Sequence, residues 1–310
     1  MVKRSKIVVL GDILYDCFVW ADRLPKEGET VTGYANGFYP GGKGANQAVQ
    51  AAKLGAEVYL IGRVGNDDRG RFLIDELNKY GVNTEYIKLD ESVATGTCCV
   101  HVADQGKNAI IVAPLANEAV TTSDVEQARN VIENADVFVA QLQLPIDAVI
   151  KGFEIAKAVK VTTIFDPAPL KEIDDRLFSM VDYITPNETE TEFYTQLAIN
   201  DLGMDEWCKR AARVFHSKGV SKVLLTMGSN GIYFSGAEKF LQPCVKVNAI
   251  DTTGAGDSFN GAFSVALAQN KEIKNAISFA NRVAALTTTK RGSQPAMPTL
   301  SDINEHFIIG

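Results

Sequence analysis

The stretch Ala45-Asn46-Gln47-Ala48-Val49-Gln50-Ala51-Ala52-Lys53-Leu54-Gly55-Ala56-Glu57-Val58-Tyr59-Leu60-Ile61 decides the fold class. Small and apolar residues recur at helical spacing from Ala45 to Leu54, and Gly55 closes the run. Val58–Ile61 is then a short apolar segment of the kind buried in a sheet. The same alternation extends in both directions. Ile7–Leu10, Val137–Ala140, Val161–Phe165, Tyr183–Thr185 and Val223–Thr226 read as buried strands. Helical patterns cover Arg69–Tyr80, closed by Gly81, a run from a Thr122-Ser123 cap to Asn134, and Asp205–Lys218, closed by Gly219. Such alternation implies βαβ units and a mostly parallel sheet covered on both faces, with ligands at the carboxyl ends of the strands.

Two stretches break the rhythm. Tyr15–Tyr39 alternates apolar residues with the turn signals Pro25, Gly28, Gly33 and Gly37. Ala94–Pro114 offers Thr97–Val102 and Ala109–Val112 around Gln105-Gly106. They read either as two surface hairpins or as one small antiparallel sheet, a lid of about residues 13–40 and 94–114 that shields a reaction from water. With no repeat or flexible linker, residues 1–310 are expected to form one domain.

Composition narrows the partners. Lys and Arg number 31 against 38 Asp and Glu, a net charge of −7, with no long basic run. This disfavours nucleic acid and anionic membranes. The five cysteines are odd in number and form no C-x-x-C, so neither a disulfide framework nor a zinc site is expected. Met1-Val2-Lys3-Arg4-Ser5-Lys6 looks like a signal n-region, but Ile7–Leu10 is too short an apolar run to follow it. A cytoplasmic location is the expectation.

Asp251-Thr252-Thr253-Gly254-Ala255-Gly256-Asp257-Ser258-Phe259 carries the chemistry. Small residues open an apolar helical pattern, so backbone N–H groups converge at a helix start and bind anions. A carboxylate is unwelcome beside an anion unless it has a task, and Asp257 there can accept a proton from an attacking hydroxyl. The segment reads as phosphoryl transfer to an alcohol. The alternative for Asp257 is a helix-start carboxylate complementing the dipole. A second cluster, Gly41-Gly42-Lys43-Gly44-Ala45-Asn46-Gln47, fits neither the P-loop nor the dinucleotide fingerprint. It lets backbone approach a ligand, or makes a tight turn.

The two clusters resemble the signatures of the PfkB family of carbohydrate kinases, and within it those of ribokinases. The first signature matches from Gly41 to Gly70, including Gly55-Ala56 and Gly62-Arg63-Val64-Gly65-Asn66-Asp67. The second matches from Asp251 to Phe263. Asp166-Pro167-Ala168-Pro169, Thr185-Pro186-Asn187-Glu188-Thr189-Glu190, Thr226-Met227-Gly228-Ser229-Asn230-Gly231 and Lys290-Arg291-Gly292-Ser293-Gln294-Pro295 follow in the family's order.

The resemblance implies a three-layer α/β/α ribokinase-like sandwich with a small antiparallel β lid. It implies an ATP-dependent phosphotransferase acting on a primary hydroxyl of a pentose or related sugar. Asp257 takes the base position, and Gly254, Ala255 and Gly256 supply amides for the developing charge. Asp16, Gly42, Lys43, Gly44 and Asn46 line the sugar site. Asn187 and Glu190 form the N-x-x-E motif that organises Mg²⁺ through water; read locally, Asn187 or Thr185 caps a helix. Thr226, Gly228, Ser229 and Gly231 face the nucleotide phosphates, and Asn281 lies beside adenine. Asp251, Thr253, Thr287, Lys290 and Gly292 hold a monovalent cation, usually K⁺, with a turn carboxylate as the alternative for Asp251. Two positions depart from the family pattern. Leu14 stands where ribokinases carry Asn, and Gln143 where they carry Glu. A less polar pocket, suited to a deoxypentose, is therefore expected, unless Leu14 faces the core. A homodimer through the lid is expected by analogy. A nucleoside kinase and a non-catalytic sugar-binding regulator are the alternatives; a Rossmann oxidoreductase is discounted because no fingerprint follows the first strand.

Overall fold

The computed structural model describes residues 4–104 and 107–307. Met1-Val2-Lys3 and the proposed turn Gln105-Gly106 lie outside the described residues. The first third of the chain runs β1 (Lys6–Leu10), β2 (Leu14–Ala21), β3 (Ala35–Gly41), α1 (Lys43–Lys53), β4 (Glu57–Gly65), α2 (Asp68–Lys79), β5 (Val82–Asn83), β6 (Ile87–Asp90), β7 (Thr97–Ala103) and β8 (Asn108–Ala113). The middle comprises α3 (Thr122–Gln127), α4 (Arg129–Glu133), β9 (Val137–Ala140), α5 (Ile146–Ala158), β10 (Thr162–Phe165), β11 (Tyr183–Ile184), α6 (Glu188–Thr195), α7 (Ile199–Leu202) and α8 (Met204–Ser217). The rest is β12 (Lys222–Thr226), β13 (Ile232–Ser235), β14 (Lys239–Gln242), α9 (Ala255–Ala268), α10 (Ile273–Thr287) and α11 (Leu300–Phe307).

The main sheet has the order β14-β13-β12-β11-β10-β9-β1-β4-β5, with β6 also pairing β4. It is parallel from β12 to β5 and antiparallel only at its β13–β14 edge. Continuous apolar strands make sense here because both faces are covered. Ile7 and Val9 face one core, with Phe259, Phe263 and Ile277 from α9 and α10. Val8 and Leu10 face the other, with Phe153 from α5 and Trp207 from α8. Phe153 lies edge-on to Phe138 at 5.3 Å and to Phe165 at 5.7 Å between centroids, so truncating it to alanine would cost about 3–5 kcal/mol.

The interrupted stretches do form one separate sheet, ordered β3-β2-β7-β8. It consists of two antiparallel pairs joined through a parallel β2–β7 contact. Its inner face packs Leu14, Phe18, Cys98 and Val100. Both roots of this lid are held by one buried side chain. Asn117 Oδ1 accepts from Ile13 N at 2.9 Å, while its Nδ2 donates to Ile13 O at 2.9 Å and Pro114 O at 3.0 Å.

Gly55, Gly81 and Gly219 close their helices with positive φ, as expected. The run to Asn134 differs. Its cap is Thr121, in a reciprocal box with Asp124, and the helix breaks at Ala128 into α3 and α4. Neither Gly nor Pro marks the break, so periodicity reads straight through it. All five cysteines are free, and no helix among the described residues is long and apolar enough to cross a membrane.

Candidate active site

The site assembles at the carboxyl ends of the parallel strands. Asp12 follows β1, Gln141 follows β9, Asp166 follows β10 and Asn187 follows β11. The N-termini of α1 and α9 bring the two glycine clusters to the same place.

α1 begins at Gly42, whose φ of 92° and close approach to the Asp12 carbonyl (2.7 Å from an added Cβ) exclude any side chain. The helix has no cap of its own, so Asp12 supplies one from the loop after β1. Its Oδ1 accepts from Gly44 N at 2.9 Å and its carbonyl from Ala45 N at 3.0 Å.

α9 begins at Gly254, also left-handed at φ 74°, and again no side chain caps it. The N–H groups of Gly254, Gly256 and Asp257 have no acceptor among the described residues. Ala255 N is different: it donates to Thr252 O at 3.2 Å. The free donors of the cradle are therefore Gly254, Gly256 and Asp257, in place of the expected Gly254, Ala255 and Gly256. Gly256 is exposed and an added Cβ there meets nothing within 4 Å, so the cradle opens outward.

Asp257 stands in the first turn of the same helix and is buried, with 7% of its surface exposed. Its Oδ2 accepts from Asn46 Nδ2 at 2.9 Å and its Oδ1 from Gln47 Nε2 at 3.3 Å. Burial raises its pKa above the ordinary carboxylate range, while the Lys43 ammonium and the Asn46 and Gln47 donors pull it down. Asp166, also bonded to Gln47, is pushed well up by burial, with Glu190 and Asp257 adding repulsion against the pull of Lys43. Burial also lifts Asp12 to about 6, and burial with Asp12 and Asp257 as neighbours lifts Asp16 to about 8. Burial works against the Lys43 ammonium, yet Asp257, Asp166, Asp12 and Glu190 outweigh it and raise its pKa. One half-buried ammonium thus serves four carboxylates, and the pocket is short of positive charge.

Asp16 shares a strand face with Leu14, and its carboxylate lies over Gly41 with no hydrogen-bond partner among the described residues. Leu14 is only 5% exposed and belongs to the lid's apolar cluster, its methyl 2.8 Å from a Cβ built on Gly96. It therefore faces lid core. Gln143 is half-buried and makes no hydrogen bond among the described residues.

Asn187 and Glu190 cap α6 reciprocally. Asn187 N donates to Glu190 Oε2 at 2.8 Å, Asn187 Nδ2 to Glu190 Oε1 at 2.9 Å, and Glu190 N to Asn187 Oδ1 at 2.9 Å. Capping is thus satisfied in full, and Glu190 remains buried with its pKa raised, first by burial and then by Asp257. Among the described residues no three acidic, His or Cys side chains are grouped to grip a metal directly. A hydrated Mg²⁺ held through water fits this donor set and would relieve its surplus charge.

A bridge from Asn187 to Thr226 leads to the turn Gly228–Asn230, where Gly228 and Ser229 are exposed. Gly231 abuts Gln242 O, and Asn281 Nδ2 donates to Pro243 O at 2.7 Å, so the turn, the end of β14 and α10 adjoin. Asp251 is a turn carboxylate that joins two loops, accepting from Thr253 N and Gly292 N, both at 2.9 Å. The carbonyls of Thr253, Lys290 and Gly292 receive no N–H among the described residues, and Thr287 O only that of Lys290 at 3.5 Å. Unsatisfied carbonyls fit a monovalent cation, which would supply fixed positive charge next to the cradle. The loop abuts the cradle itself, since a Cβ on Gly254 would stand 3.0 Å from Ser293 Cβ.

Asp12, Gln47, Gln141 and Gln294 were not singled out as site residues from sequence. Gln294 Nε2 donates to Asn46 Oδ1 at 3.1 Å, and Lys53 Nζ fixes that loop through Gln294 O and Met297 O, both at 2.8 Å. Position immediately after a buried parallel strand was the available signal for Asp12 and Gln141.

Known proteins align with this arrangement. A family model described as pfkB family carbohydrate kinase matches residues 4–300. A ribokinase from Staphylococcus aureus is 38% identical over 304 residues, covering 97% of this chain and 99% of that protein. A deoxyribokinase from Salmonella typhimurium is 32% identical over 303 residues, covering 97% and 98%. Arabidopsis thaliana ribokinase, solved with ribose and ATP, superposes with a TM-score of 0.89 at 30% identity, covering 98% of each chain.

Proposed function

The chain belongs to the pfkB family of carbohydrate kinases and is a ribokinase-like phosphotransferase acting on a sugar hydroxyl; from that premise we propose that it transfers the γ-phosphoryl of ATP to a primary hydroxyl of a pentose, with Asp257 as general base. The observation that carries this reading is the union of a buried carboxylate with three uncommitted amides at the start of the same helix. The sugar hydroxyl approaches Asp257, whose orientation Asn46 and Gln47 fix. An alcohol is too weak an acid to ionise beforehand, so its proton passes to Asp257 late, as the phosphorus–oxygen bond forms. The amides of Gly254, Gly256 and Asp257 hold the charge on the moving phosphoryl, and most acceleration comes from alignment and this stabilisation. The lid, carrying Asp16, excludes water.

Mg²⁺, organised through water by Glu190 and Asn187, would neutralise phosphate charge. K⁺ at the Asp251 loop is the proposed monovalent activator. Leu14 packs into the apolar cluster of the small sheet and carries no argument about the sugar; Gln143 in place of a carboxylate and the likeness to a deoxyribokinase support acceptance of 2-deoxyribose. The lid's edge strand exposes Ile110, Ile111 and Val112, which supports pairing of two copies there. Scattered free thiols support a cytoplasmic location. The test is ADP release across pentoses, hexoses and nucleosides, with and without K⁺. Sugar-dependent release, including with 2-deoxyribose, is expected; release only with nucleosides, or with no acceptor, contradicts the proposal.

A further inference from the structure

Gln47 lies on α1 with no exposed surface, between two carboxylates that repel each other. Its Nε2 donates to Asp166 Oδ2 at 2.8 Å and to Asp257 Oδ1 at 3.3 Å. An ionised carboxylate only accepts, so the amide nitrogen must face the pair and the amide oxygen must face away. That oxygen accepts from Gln141 Nε2 at 2.5 Å. Gln141 is equally buried, and its own Oε1, without a hydrogen-bond partner among the described residues, lies against Gly11, 2.2 Å from where a Cβ would stand. Leaving one buried amide oxygen unpaired costs about 1–3 kcal/mol. An apolar pair of the same volume would pack without that cost, so the two amides need a reason beyond folding.

We propose that Gln47 is a positioning residue for phosphoryl transfer, a neutral clamp whose single nitrogen aims the Asp257 carboxylate, and that Gln141 dictates which way that clamp points. Two hydrogens on one nitrogen suit two acceptors at once. A lysine there would neutralise the base, and a carboxylate would repel it. With Gln47 in place, Asp257 has a donor on each oxygen, Asn46 on one and Gln47 on the other. Without it, the charged form loses a donor and the carboxyl turns more freely about its bond to Asn46. This inference rests on the reading of Asp257 as the base.

Gln47→Met removes both donors at nearly constant length. The expected result is a fall in kcat of about 10–100-fold with sugar KM changed less than about threefold, and an acid limb of kcat/KM moved up by about one pH unit. Gln141→Met should lower kcat by about 3–10-fold and add nothing in the Gln47→Met background, since it acts through that amide. An unmoved pH profile, or a loss confined to KM, overturns the role of Gln47; additive losses overturn that of Gln141. If Gln47→Met does not fold, Gln141→Met decides alone, and an unchanged kcat and pH profile overturn the proposal. Titration of the Asp257 carboxyl carbon by NMR needs no turnover. Its midpoint should rise in Gln47→Met, and an unshifted midpoint contradicts the clamp. Absence of sugar-dependent ADP release by the unaltered enzyme would instead sink the functional reading.

Discussion

Gly256→Ala separates what the first turn of α9 does for folding from what it does for catalysis. Gly256 is an exposed helical residue without left-handed φ, and an added Cβ touches no heavy atom within 4 Å. Alanine is favoured over glycine inside a helix by roughly 0.5–1 kcal/mol, so the variant should melt no lower than the parent, and up to about 3 °C higher. The same methyl stands in the mouth of the cradle, beside the amides of Gly254, Gly256 and Asp257. Pushing the phosphoryl group off one donor should cost about 10²–10³ in kcat, or about 2.7–4 kcal/mol. Gly254→Ala is the contrast. There φ is 74° and the new Cβ would sit 3.0 Å from Ser293 Cβ, so stability falls, by about 1–2 kcal/mol for the left-handed conformation alone. Thermal melting and steady-state kinetics on both variants make the comparison. A Gly256→Ala enzyme that is as active as the parent would mean that the phosphoryl group does not lie over this turn.

Asp257→Asn should bind ATP with affinity changed less than about threefold while kcat drops by about 10²–10⁴, and turnover within tenfold of the parent would assign the base elsewhere. The ligand-free protein should lose stability as pH rises from about 4 to 8. Asp12 and Asp16, held up to about 6 and about 8, keep protons in the folded state that the unfolded chain has released, so the folded state binds more protons across that window. Melting temperatures at pH 5 and 8 check the sign, and a higher value at pH 8 contradicts it. Asn117→Ala cuts three hydrogen bonds at the lid roots, and sugar KM should rise about tenfold with ATP affinity little changed. Equal effects on both substrates would place Asn117 in general stability only.

Much of the architecture is legible because it is written in burial. Val8 and Val9 face opposite cores, so the strand must be apolar throughout, and such runs stand out. The lid shows as alternation because Phe18 and Val19 face differently, one buried and the other exposed. The break at Ala128 left no trace, having neither breaker nor cap. In the site, both glycine clusters are visible as motifs, and Asp257, Asn46, Asp16 and Lys43 do converge. Which amides remain free is not visible: Ala255 bonds Thr252 while Asp257 N stays open, a choice that the folded turn makes and the residue types do not announce. Leu14 illustrates the same limit, since a strand position shared with Asp16 does not tell whether the side chain meets sugar or the lid's Phe18. Gln47 and Gln141 were hidden for another reason. A glutamine on a small-residue helix reads as a surface residue until a facing strand end brings a second one to it.

The central claim is spatial: one nucleotide tail meets both the Asp257 carboxylate and the free amides at the start of its helix. A crystal structure with sugar and a slowly hydrolysed ATP analogue tests it directly. The account predicts terminal phosphate oxygens within about 3 Å of the Gly256 and Asp257 nitrogens and a sugar hydroxyl at hydrogen-bond distance from the Asp257 carboxylate. A terminal phosphate bound away from that turn, or a sugar hydroxyl paired with another group while Asp257 stays with Asn46 alone, would contradict it.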